Sequence, residues 1–112
     1  MDKTMQHAIL DYLRDNGAST LHDMELDIAG FAGEETLLLD GYSHVELWRS
    51  VSEPGITAFN ALLKQGRIKV ERVELIAFYF GDDAPIAEKR INQPSHDLHS
   101  PHWWPAAVSL RR

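Results

Sequence analysis

Residues 52–80 read SEPGITAFNALLKQGRIKVERVELIAFYF, and the run holds a helix, a stop and two strands in succession. Ser52 is a good N-cap, and Pro54 falls in the first turn, where its missing N–H costs nothing. Ile56, Phe59, Leu62 and Leu63 recur at helical spacing, and Gly66 supplies the C-terminal stop. A strand follows over Arg67 to Val70, with Ile68 and Val70 on one face. In the next run, about Val73 to Phe80, Leu75, Ala77 and Tyr79 share one face while Ile76, Phe78 and Phe80 share the other. A strand apolar on both faces is covered on both sides. Gly81-Asp82-Asp83 ends it.

Upstream, Met5, Ile9, Tyr12 and Leu13 predict a helix over residues 3–16, with Asp2 or Thr4 as cap and Asn16-Gly17 as a left-handed stop. A second helix is expected from about 20 to 29, with Leu21, Met24 and Ile28 as its buried stripe. Thr20 followed three residues later by Asp23 resembles a capping box. Residues 30–44 are irregular and broken by Gly30, Gly33 and Gly41. Thr36-Leu37-Leu38-Leu39 suits a strand turning through Asp40-Gly41-Tyr42-Ser43. Val45 and Leu47 alternate with Glu46 and Trp48, the pattern of a short strand.

Downstream, Pro85, Pro94, Pro101 and Pro105 forbid a continuous helix. Residues 84–112 therefore read as a Pro/His/Trp-rich tail on a body of residues 3–83. Trp103 and Trp104 are expected to dock it, each burial stabilising by roughly 2–3 kcal/mol, and Ala106 to Leu110 suits a final strand. The chain of 112 residues, 44% apolar and 25% charged, is of a size for one α+β domain with three helices and a small antiparallel sheet. Its expected core includes Ile9, Leu13, Leu21, Ile28, Phe59, Leu63, Ile68, Leu75 and Phe78.

The absence of cysteine excludes disulfides, thiolate zinc sites and cysteine nucleophiles. The apolar runs are three to six residues long, far below a membrane span, and Met1-Asp2-Lys3-Thr4 lacks the blocks of a signal peptide. A cytoplasmic protein that does not engage membranes is the expectation. The net charge is −6, unevenly spread. Residues 15–48 hold eight acids and no Lys or Arg, whereas residues 49–72 hold five Lys/Arg against two Glu, or +3. The acidic total argues against broad nucleic-acid binding, while the basic block allows a local contact.

The order helix, helix, short strand, helix and two-stranded hairpin resembles the winged helix-turn-helix superfamily over roughly residues 3–80. One change marks this chain: the strand falls between the second and third helices rather than the first and second. The block VELWRSVS, the helix after it and the tail HWWPAAV are also similar to small uncharacterised bacterial proteins, which implies no activity. More than twenty residues separate Gly30 from Ser52, where a DNA-binding helix-turn-helix has a three- or four-residue turn. The segment is either an insertion that preserves the packing or the mark of another α+β domain.

The resemblance implies that the third helix reads DNA, with Thr57, Asn60, Ala61 and Lys64 outward. Asn60 would pair with adenine, Lys64 would reach a phosphate or guanine, and Arg67, Lys69 and Arg72 would hold the backbone. Asp23, Glu25 and Asp27 would repel phosphates from the second helix. The implied function is a small DNA-binding regulator, possible as a homodimer. The alternative is a protein-interaction domain presenting its acidic residues 15–48 to a basic partner. No catalytic constellation, phosphate-binding glycine loop or cofactor motif stands out, so a non-enzymatic role is expected. His96, His99 and His102 recur at equal spacing beside Asp97, but Pro101 breaks their register, and a histidine-rich surface loop is expected there rather than a metal site. His22 and His44 are expected to be structural.

Overall fold

Ala106–Leu110 (β6), the last strand in chain order, is the middle strand of a three-stranded sheet, between Ser19–Thr20 (β1) and Ile68–Arg72 (β4). The computed structural model describes residues 3–72, 90, 91 and 93–111. In chain order its elements begin with helix α1 (Thr4–Asn16), strand β1 (Ser19–Thr20) and helix α2 (Leu21–Asp27). Strands β2 (Ala32–Leu38) and β3 (Val45–Val51) follow, then helix α3 (Glu53–Lys64) and strand β4 (Ile68–Arg72), and finally β5 (His102–Trp103) and β6. A second three-stranded sheet has the order β2-β3-β5, with β2 antiparallel and β5 parallel to β3. The fold is α+β, as expected. It has two small sheets where one was anticipated, and one of them includes a parallel pair.

Local chemistry sets the helix ends. Gly17 closes α1 at φ 76° with its N–H on the Leu13 carbonyl. The first residue before α1 is Lys3, which makes no side-chain cap; Thr4 is already helical, and Asp2 lies outside the described residues. Thr20 caps α2 through a complete capping box with Asp23. Ser52 caps α3, its Oγ accepting the Gly55 N–H at 3.0 Å and donating to the Gly30 carbonyl at 2.6 Å. The second bond ties the α3 start to the end of the α2 segment.

Strand β1 corrects the expected order, because a strand lies between the first two helices as well as two between the second and third. It is only two residues long and its second residue is itself the α2 cap, so no alternation announces it. The tail is less irregular than its prolines suggested, since it supplies β5 and β6. The hairpin partner expected for β4 over residues 73–80, with Leu75 and Phe78, lies outside the described residues.

The buried apolar residues form one contiguous cluster from all three helices and both sheets. Ile9, Leu13, Leu21, Ile28, Phe59 and Ile68 lie in it as expected, whereas Leu63 is only partly buried. Helix α3 instead turns Gly55, Ala58, Phe59 and Leu62 inward, a rotation of the expected stripe that leaves Ile56 half-buried. Val45, Glu46, Leu47 and Trp48 are all buried, so β3 is covered on both faces and its alternation does not mark a wet side. Trp103 and Trp104 are both buried. The Trp103 Nε1–H donates to the Leu47 carbonyl at 3.2 Å, and its ring meets Trp48 with centroids 6.3 Å apart.

Candidate nucleic-acid interface

The inward turn of Phe59 and Leu62 decides where the remaining α3 side chains point. Thr57 and Lys64 are exposed, as expected, whereas Ala61 and Asn60 are half-buried. Asn60 lines a groove of about 480 Å³ with Ile56, Thr36, Leu38, Asp40 and Tyr42, formed where the β2–β3 turn lies against the helix. Its Oδ1 is buried without a hydrogen-bond partner. The outward placement expected for Asn60 is therefore corrected: the turn of the hairpin between α2 and α3 lies beside it.

The hairpin is fitted closely to the start of α3. A Cβ added to Gly33 would stand 2.4 Å from the Ser52 Cα and 2.8 Å from the Val51 carbonyl oxygen. The Ser52 N–H donates to the Phe31 carbonyl at 2.7 Å. The helix N-terminus, which in helix-turn-helix proteins meets base edges, is thus crossed by β2 in this chain.

The cations gather at the other end. Arg67 and Arg72 are exposed, and Lys69 is half-buried with its Nζ 2.9 Å from the Glu71 carboxylate. Lys69 opens onto a cleft of about 600 Å³ that is also lined by Arg14, Gly17, Ser109 and Arg111. Of the six expected contact residues, Lys69 belongs to this cleft and Asn60 to the hairpin groove, so the set does not line one surface depression. Arg14 and Arg111 escaped the sequence reading, which sought cations only near the third helix. Arg111 extends the alternation of Ala107 and Ser109 past the end of β6, the one signal that places it on the Lys69 side.

Several acids counted as surface charge have internal tasks. Glu25 accepts the Trp48 indole N–H at 2.7 Å, and Asp27 accepts the Tyr12 hydroxyl at 2.7 Å. Partial burial and then the Asp27 bond push the Tyr12 hydroxyl up to about 12. Buried Glu46 accepts from Arg49 Nε at 3.0 Å. Glu34, Glu35 and Asp40 are exposed on the hairpin.

The tail histidines take different partners. His96 stacks on Tyr42 with centroids 4.2 Å apart, His102 Nδ1 lies 2.7 Å from the Ser100 carbonyl, and His99 is exposed. Among the described residues no three His, Asp or Glu side chains gather as a metal site. The His22 and Trp48 rings meet at a steep angle with centroids 5.6 Å apart, and the His22 Nδ1 is buried and unbonded. No described helix is long and apolar enough to cross a membrane. Scans of family models, curated proteins and solved structures find no match to this chain.

Proposed function

We propose that the chain is a small, non-enzymatic, winged-helix-like regulator that contacts duplex DNA with the α3–β4 segment. The observation that supports this reading is the strand order β1-β6-β4. It joins a strand between the first two helices to β4 and β6, two of the strands that follow the third, and the β2–β3 hairpin then stands as an insertion between α2 and α3. Lys64, Arg67, Lys69 and Arg72 reach phosphates, whereas Asn60 is set back beside the hairpin turn. Backbone contact therefore outweighs base readout.

The test is fluorescence anisotropy on short duplexes across a salt series. Lys64→Ala and Arg67→Ala should each weaken binding to all sequences and flatten the log–log salt slope by about one. Asn60→Ala should leave sequence preference unchanged. No binding at low salt, where the electrostatic attraction is strongest, sinks the reading. A basic protein partner then takes its place, a reading favoured by exposed Glu34, Glu35 and Asp40 beside the exposed apolar Leu38.

A further inference from the structure

We infer that the outer face of the β4–β6 pair, where it meets the end of α1, binds a phosphate group. The register sets Ile68 opposite Leu110 and Lys69 opposite Ser109. One step further, Arg67 stands opposite Arg111, whose N–H donates to the Arg67 carbonyl at 3.0 Å. Residues directly opposite in an antiparallel pair project from the same side of the sheet. Arg67, Arg111, Lys69 and Ser109 thus share the face turned away from buried Ile68 and Val108.

Like charges directly opposite one another destabilise a strand pair. Arg14 and Lys69, which line the cleft with Arg111, have their charge offset: Arg14 lies 3.0 Å from Asp11 and 3.4 Å from Asp15, and Lys69 lies 2.9 Å from Glu71. Neither guanidinium of the Arg67–Arg111 pair meets a carboxylate among the described residues, and both residues are exposed. A bound phosphate oxyanion between the two guanidinium groups turns this repulsion into attraction. Guanidinium groups match phosphate oxygens bidentately, and the Ser109 hydroxyl adds a donor beside them. The cleft of about 600 Å³ also leaves room for the group that carries the phosphate.

The same chemistry serves a nucleic-acid phosphodiester and a free phosphate monoester. The site does not depend on the DNA reading, since either source fills it.

The test titrates inorganic phosphate into the full chain at an ionic strength held constant with chloride, followed by amide NMR and thermal melting. Saturable shifts should centre on Arg67, Lys69, Ser109 and Arg111, and phosphate should raise the melting midpoint. Arg67→Gln and Arg111→Gln should each weaken phosphate about tenfold or more, the loss of one charge-assisted bidentate contact. Arg111→Glu should melt higher than the parent in phosphate-free buffer, because an opposite-charge pair replaces a like-charge one. Non-saturating shifts of equal size in the parent and in Arg111→Gln overturn the site. In a second arm, a short duplex that displaces phosphate identifies a backbone phosphodiester as the source. Retained phosphate with no duplex binding keeps the site for a free monoester and removes the DNA reading. Duplex binding without saturable phosphate binding does the reverse.

Discussion

Tyr12 joins α1 to α2 through one hydrogen bond, from its hydroxyl to an Asp27 carboxylate oxygen 2.7 Å away. Partial burial, followed by that carboxylate, holds the phenol protonated up to about pH 12, against an ordinary value of 10.0. A pKa raised on folding contributes stability that is complete below the unfolded value and lost as pH rises through the folded one. The chain should therefore lose stability between about pH 10 and pH 12 through this group. Absorbance titration of the phenols should show Tyr12 ionising late, and Tyr12→Phe should remove that step together with its share of the alkaline stability loss. If Tyr12→Phe leaves both unchanged, the bond does not hold α2. Single-residue roles divide by the range of the interaction that sets them. Thr20, Ser52 and Gly17 were legible because a cap or stop involves residues three or four apart. Asp27 and Glu25 read as surface charge because their donors, Tyr12 and Trp48, are 15 and 23 residues away. Asn60 is the same case in reverse, for helical spacing says which way a side chain points and not what a distant hairpin sets beside it.

At the scale of the element, β2 is the least legible strand and its fit the most exacting. Its register with β3 shifts three times between Ala32 and Leu38. Each irregularity breaks the period of two on which strand recognition relies. Gly33 sits within this stretch, against the β3–α3 junction. In Gly33→Ala the new Cβ would press on backbone atoms of Ser52 and Val51, which move only with the start of α3. We expect a loss of about 1–3 kcal/mol, as for overpacking elsewhere, read as a lower urea midpoint with an unchanged m-value. An unaltered midpoint would mean that β2 slides freely past the helix start. Helix α3 and β4 were legible for the opposite reason. Their caps, periodicity and stop all agree, and only the rotation of the buried stripe by Gly55 and Ala58 went unread. Small residues carry little hydropathic signal, yet they bury where another chain segment approaches closely.

For the molecule as a whole, the decisive contacts are those of β5 and β6. Trp103 fills the space beside Trp48 and Leu47, while β6 pairs with both β1 and β4. A chain cut after Pro94 loses both strands and, with them, the buried Trp103 and Trp104. It should show no cooperative thermal transition by circular dichroism, whereas a melt like that of the full chain would make these strands dispensable. The α+β class and the docking of the tryptophans were legible in the amino acids, because composition and large apolar side chains report burial wherever they fall. The central place of β6 was not, because pairing depends on partners far apart in the chain. Ser19 and Val108 pair across 89 positions, from 108 − 19. That separation also sets a timetable for synthesis. A ribosome finishes β1 and β4 well before it reaches Ala106, so during that interval the two strands lack the ladder between them. Closing so long a loop is entropically slow. This sheet therefore assembles late in translation, and a chain stalled before Ala106 carries open strand edges that chaperones and proteases recognise.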